Sequence, residues 1–152
     1  MTLPPGLRLS FEANPSQVDR DVIDEGLGAH NAPFLENPGY SYFAIFVRDE
    51  TGKIRAGLVG HCYAGWLFVV LLWVEAGLRR GGIGSLLLAE AERHARDFGC
   101  HSAWLDTFTF QGPDFYPRHG YREFARLEVP PDHERIFFRK QLTQEPADAD
   151  AS

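Results

Sequence analysis

The sequence predicts an α/β fold in which a mixed, mostly antiparallel sheet of six or seven strands is flanked by helices. Three observations carry that expectation. Several segments alternate apolar and polar residues and are joined by tight turns, the signature of antiparallel pairs. One strongly apolar strand is followed by a segment of helical period and then by another strand, which suits a sheet flanked by helices. The 152 residues, 44% of them apolar, suffice for one core and fall short of two ordinary domains. The predicted order is β, α, β-β-β, α, β, α, β-β, without internal repeats.

Leu7 to Glu12 alternates and reads as a first strand, leading into a polar stretch in which Ser16 is placed to cap a helix. From Gln17 to Leu35 the apolar residues Val18, Val22, Ile23, Leu27 and Phe34 suit one or two short helices, broken at Gly26, Gly28 and Pro33. Tyr40 to Arg48 is aromatic and β-branched, Asp49 to Lys53 makes a hairpin turn, and Ile54 to Tyr63 returns beside it. Ala64 and Gly65 form another tight connection. Trp66 to Val74 is then the most apolar strand and the expected centre of the sheet.

Between Gly82 and Phe98, the residues Ile83, Leu87, Ala91, Ala95 and Phe98 repeat at helical spacing, with Glu92 and Arg96 four apart as an exposed ion pair and Gly99 as the stop. Ala103 to Phe110 is strand-like. Gly112 to His119 has room for two helical turns at most, and Tyr121 to Leu127 with Arg135 to Lys140 closes the sheet. Residues 1–142 are thus expected to form one domain, and residues 143–152 a disordered acidic tail.

Charge and composition exclude several classes of partner. Fifteen Lys+Arg against 21 Asp+Glu give a formal charge of −6, with no basic block to meet a phosphate backbone, so no nucleic acid partner is expected. The run Trp66 to Val74 is far shorter than the roughly 20 residues that span a bilayer, so no membrane partner is expected either. The first ten residues lack a charged-then-apolar signal, so the expectation is a cytoplasmic chain in which Cys62 and Cys100 stay reduced as small buried hydrophobes. Six scattered histidines show no ligand spacing, and no metal is assigned. The oligomeric state stays open between monomer and homodimer.

The informative segment is Val74-Glu75-Ala76-Gly77-Leu78-Arg79-Arg80-Gly81-Gly82-Ile83-Gly84-Ser85, where a strand end meets a helix start. Helix N-termini offer unpaired N–H groups and partial positive charge, glycines let the backbone approach a phosphate, and Arg79 and Arg80 add fixed charge. The chemistry is that of a diphosphate-binding turn. No Lys follows these glycines as a nucleoside triphosphate loop requires. A dinucleotide turn would place its third glycine at Leu87, and it needs repeated βαβ units that the upstream hairpins do not supply.

The run Arg79-Arg80-Gly81-Gly82-Ile83-Gly84 resembles the [Q/R]-x-x-G-x-G motif of the GNAT acetyltransferases, in that family's place between the fourth strand and its helix. Phe115-Tyr116-Pro117-Arg118-His119-Gly120-Tyr121 resembles the family's later F-Y-x-x-x-G-[FY] segment. Leu105-Asp106-Thr107-Phe108 with Phe110-Gln111-Gly112-Pro113 is similar to a bacterial subset. The resemblance spans roughly residues 40–142.

It implies acetyl-CoA as co-substrate, entering where the fourth and fifth strands splay. Arg79, Arg80, Gly81, Gly82, Ile83, Gly84 and Ser85 would hold the pyrophosphate, and the backbone of Leu72, Trp73 and Val74 would pair with the pantetheine arm. An N–H near Val74 would face the thioester oxygen. A small-molecule primary amine, or a chain end, would attack directly, since no nucleophile-base pairing for a covalent intermediate is visible.

Two protons must then move. Tyr116 is the candidate acid for the departing sulfur, because a phenol stays protonated at neutral pH. A residue before proline is pushed from helical angles unless the pair opens a helix, so Pro117 tests that placement. Phe68 stands where some protein-acetylating relatives carry a glutamate, which leaves the base to water or another side chain. Glu75 and Asp106 are alternatives, though a carboxylate at a strand end is more often exposed to solvent or paired with a neighbouring arginine. The competing class is a non-catalytic acyl-CoA-binding domain of the same fold.

Overall fold

A computed structural model describes residues 2–143 of the chain. It divides into two compact units, Met1–Pro38 and Gly39–Ser152.

The first unit is a helix with an irregular lead. Helix α1, Gln17–Asn31, starts as the polar stretch requires: Ser16 is extended, and its Oγ accepts from the Asp19 backbone N–H at 3.1 Å. Two expectations are corrected here. Residues 7–12 form no strand; alternation specifies a strand only where a neighbour offers a ladder, and the described residues of this unit include no strand to pair with. Gly26 and Gly28 do not break the helix, which runs through both and gives way only to a 3-10 turn at Ala32–Phe34, around Pro33. Each glycine costs a helix about 0.5–1 kcal/mol relative to alanine, too little to end one that is otherwise well started. Nothing stands within 4 Å of a Cβ built on Gly26. Gly26→Ala is therefore expected to raise stability by about that amount, measured by chemical denaturation.

The second unit holds a six-stranded sheet in the order β1-β2-β3-β4-β6-β5. Its strands are β1 (Ser41–Arg48), β2 (Ile54–Tyr63), β3 (Trp66–Val74), β4 (Ser102–Phe108), β5 (Arg122–Val129) and β6 (His133–Gln141). Every pairing is antiparallel except β3 with β4. The β1–β2 turn is tied by Asp49, whose carboxylate accepts from the Thr51 hydroxyl and from the N–H groups of Thr51 and Lys53. Between β2 and β3, Ala64 and Gly65 both have positive φ, as a two-residue hairpin turn demands. A Cβ on Gly65 would also meet the His101 ring at 2.9 Å.

Helix α2, Ile83–Phe98, is the crossover between the parallel strands, and it stops at Gly99, whose φ of 103° lets its N–H cap the last turn. Leu87, Leu88, Ala91 and Ala95 of α2 are buried against Ala56, Leu58 and Cys62 of β2, Leu67 and Val69 of β3, and Ala103 and Leu105 of β4. Strand alternation sends His61, Phe68, Trp104 and Asp106 to the opposite face. Cys62 and Cys100 are free and buried, and burial pushes both thiols up, Cys62 to about 12. They are inert at neutral pH, as expected of small core residues.

The exposed Glu92–Arg96 pair is a further correction. Glu92 is buried, and its carboxylate accepts from Lys140 Nζ of β6 at 2.5 and 3.1 Å. Arg96 donates instead to the Leu142 carbonyl at 2.9 Å. Spacing of four puts two residues on one face of a helix, whichever face that is. The tail expected from Thr143 lies, beyond that residue, outside the described residues.

Candidate active site

The strand ends determine where a ligand can enter. β3 and β4 pair over only four rows, from Trp66↔Ser102 to Val69↔Leu105. Beyond Val69, β3 continues to Val74 paired only with β2, while β4 continues to Phe108 paired only with β6. The edge of β3 that faces β4 is thus left without a ladder over residues 70–74, and its backbone groups require partners.

The chain after β3 shapes the mouth of this gap. A 3-10 turn at Ala76–Leu78 is followed by Arg79, by Arg80 with φ of 68°, and by Gly82 with φ of 84°. A non-glycine residue at positive φ is strained, so Arg80 is held there by its surroundings. Gly82 is the N-cap of α2, with no side-chain cap, and a Cβ on it would meet nothing within 4 Å. The first N–H groups of α2 are consequently left for an outside acceptor. Arg79 spends its Nε on the Val74 carbonyl at 3.0 Å, which fixes the guanidinium beside the turn.

A cavity of about 710 Å³ opens on this turn, lined by two stretches of chain. The first supplies Leu72, Val74, Leu78, Arg79, Arg80 and Gly82 through Ser85. The second supplies Gln111, Gly112, Phe115, Tyr116, Arg118 and His119. The predicted residues Leu72, Val74, Arg79, Arg80, Gly82, Ile83, Gly84, Ser85 and Tyr116 therefore come together around one space. Trp73 and Gly81 do not line it. Trp73 pairs through its backbone with Gly57 of β2 and turns a half-exposed side chain elsewhere, so any part it plays is played by its main chain.

Tyr116 sits between two 3-10 turns, Pro113–Phe115 and Pro117–His119, with φ −71° and ψ −42°. Pro117 opens the second turn, the one helical position where proline costs nothing, so the pair is accommodated. The ring packs against Phe115, Tyr121 and Phe138, leaving the residue 9% exposed. Burial, and then the Asp106 carboxylate, push its phenol up to about 12. The hydroxyl therefore holds its proton throughout the neutral range.

Both carboxylates considered as bases are committed to arginines. Glu75 accepts from Arg55 Nε at 2.5 Å, and Asp106 accepts from Arg135 Nε at 2.6 Å. The lining residues not singled out in the sequence are Leu78, Gln111, Gly112, Phe115, Arg118 and His119, of which His119 places its Nε2 3.0 Å from Ser85 Oγ and packs its ring on Phe115 at 4.5 Å. This contact ties the second lining stretch to the start of α2. Its only signal was position: His119 lies within the same seven-residue segment as Tyr116, on the lining side of the turn.

Comparison with known proteins agrees with this architecture. The family described as "Acetyltransferase (GNAT) family" matches residues 9–121. The chain is 45% identical to the blasticidin-S acetyltransferase of Streptomyces morookaense over 101 residues, 65% of this chain and 74% of that protein. It is 40% identical to an acetyltransferase of Agrobacterium fabrum over 106 residues, 70% of this chain and 77% of that one. A 1.9 Å crystal structure of an acetyltransferase from Bacillus cereus superposes with a TM-score of 0.71 at 34% identity, covering 87% of this chain and 97% of that chain.

Proposed function

The chain belongs to the acetyltransferase (GNAT) family and is an N-acetyltransferase; from that premise we propose that it uses acetyl-CoA to acetylate a small cationic or zwitterionic primary amine by direct attack. The observation that supports this reading is one cavity joining an uncapped helix N-terminus with flanking arginines, an unladdered strand edge and a buried protonated phenol. Its volume lies within the range of roughly 300–1,000 Å³ usual for small-ligand sites. The resemblance to blasticidin-S acetyltransferase supports a small-molecule acceptor, and the net charge of −6 favours encounter with cations.

Acetyl-CoA supplies an activated acyl group and a thiolate leaving group. The N–H groups of Ile83, Gly84 and Ser85, with Arg79 and Arg80, would bind its pyrophosphate through charge-assisted hydrogen bonds. The backbone of Leu72 to Val74 would complete its missing ladder on the amide-bearing arm. That pairing would hold the thioester carbonyl in register with the strand, and an N–H near Val74 would stabilise charge developing on the oxygen. Tyr116 would give its proton to sulfur as the C–S bond breaks.

Saturating acetyl-CoA is expected to raise the melting temperature, since a ligand at 100 times its Kd stabilises by about 2.7 kcal/mol. Gly82→Asp should abolish the rise, because it sets a carboxylate against the pyrophosphate. Gly82 has positive φ, so Gly82→Asn serves as the control: it tolerates the same backbone angles without the charge and should keep most of the shift. Release of CoA in the presence of a panel of amines tests the reaction itself. A panel on which histone-like peptides outperform every small amine would overturn the proposed acceptor class.

A further inference from the structure

The open end of the gap is finished differently on its two sides. On β3, Glu75 donates its backbone N–H to the Arg55 carbonyl at 3.0 Å. Bonded and unbonded pairs alternate along an antiparallel ladder, so Val74, paired with Ala56, turns its own N–H and C=O away from β2 and toward the gap. Arg79 takes that carbonyl at 3.0 Å, which leaves the Val74 N–H. On β4, Thr109 donates its N–H to the Glu134 carbonyl at 3.0 Å. By the same alternation Phe108, paired with Arg135, turns its backbone groups away from β6 and toward the gap.

Gln111 takes both of those groups. Its backbone N–H donates to the Phe108 carbonyl at 2.9 Å, and its side-chain Oε1 accepts from the Phe108 N–H at 3.0 Å. The hydroxyl of buried Thr107 donates to the same Oε1 at 3.3 Å. A backbone N–H can only donate, so the two ends of the amide are told apart: oxygen on β4, nitrogen away from it. Nε2 has no hydrogen-bond partner among the described residues, and Gln111 lines the cavity that Leu72, Val74 and Tyr116 also line. Capping the end of β4 calls only for an acceptor. The donor half of the amide is surplus to that task, and two bonds to the other half hold it at the cavity wall.

Resting on the acetyl-CoA reading above, we infer that Gln111 binds the arm of the co-substrate, donating from Nε2 to an amide carbonyl oxygen of that arm on the side opposite β3. An extended arm that pairs with the β3 edge presents its remaining amide groups to the other wall of the gap. There Gln111 has withdrawn the Phe108 N–H and offers its own donor in its stead. Arg79 and Gln111 therefore have parallel effects: each removes a strand carbonyl from the gap, and a donor is left facing it, the Val74 N–H on one side and Nε2 on the other. Because the amide is anchored before any ligand arrives, little side-chain freedom is lost when a carbonyl meets it.

Gln111→Glu separates the two halves of the amide. The carboxylate still accepts from Phe108 and Thr107, so the melting temperature should be unchanged, while the donor becomes an acceptor. Calorimetric titration with CoA should show the variant's affinity falling about tenfold to a hundredfold. Affinity for ADP, which keeps the pyrophosphate and lacks the arm, should change little. Equal losses for CoA and ADP would mark simple charge repulsion and overturn the inference. Gln111→Met, which adds no charge, decides on CoA alone: a loss of similar size supports the donor role, and wild-type affinity in either variant overturns it. Wild type is titrated first, and its failure to bind CoA would instead bring down the acetyl-CoA reading, and this inference with it.

Discussion

Tyr116→Phe is expected to lower kcat by roughly 10²-fold or more while leaving acetyl-CoA affinity almost unchanged, because in the proposed mechanism the lost hydroxyl acts only as the thiolate forms. The substitution keeps the ring, and with it the packing on Phe115, Tyr121 and Phe138. If packing were the whole role of this residue, the cost would be confined to stability, at most about 1 kcal/mol for one hydrogen bond, and turnover would stand. Steady-state kinetics under conditions where chemistry limits the rate separate the two. The phenol, pushed up to about 12, is protonated below that pH and ionised above it. Tyr116 therefore imposes no basic limb on the wild-type profile through pH 10, and a limb at lower pH that survives in Tyr116→Phe belongs to another group.

The second large effect concerns stability. Lys140→Met is expected to destabilise the fold by about 3–5 kcal/mol, because it strands the Glu92 carboxylate in the core. Only 6% of the Glu92 side chain is exposed, against 23% for Lys140, so the stranded partner is the one that water reaches least. A loss of this size should lower the melting temperature by on the order of 10 °C in a chain of this length. The double variant Glu92→Leu/Lys140→Met should recover most of it, since two apolar residues of similar shape leave no charge unpaired. Calorimetry of the three variants checks the prediction, and a single variant as stable as wild type would show that the pair contributes little.

Much of this architecture was legible because it is written in local chemistry. The limits of β2 and β3 are fixed by Gly52 on one side and Ala64-Gly65 between them, residues at positive φ that suit a turn. The turn before α2 was equally visible, since glycines, arginines and a helix start stand consecutively in the chain. What escaped depended on partners distant in sequence. The alternation of Leu7 to Glu12 is that of a strand, but pairing is a property of two segments. Glu92 carries the same spacing to Arg96 whether it faces solvent or Lys140, 48 residues on. His119 was one among six scattered histidines, and only folding sets it against Ser85.

The cavity draws all of its lining from two short stretches, residues 72–85 and 111–119, while β1, β2, β5 and β6 contribute nothing to it. On the proposed reading, recognition of the co-substrate is therefore concentrated in these two stretches. Substitutions in the hairpins of β1, β2 and β6 leave the helix start, the arginines and the phenol in place. A mutation within the two lining stretches risks every acceptor at once. Laboratory evolution that leaves these two stretches untouched should therefore retain far more active clones than random mutagenesis of the whole chain.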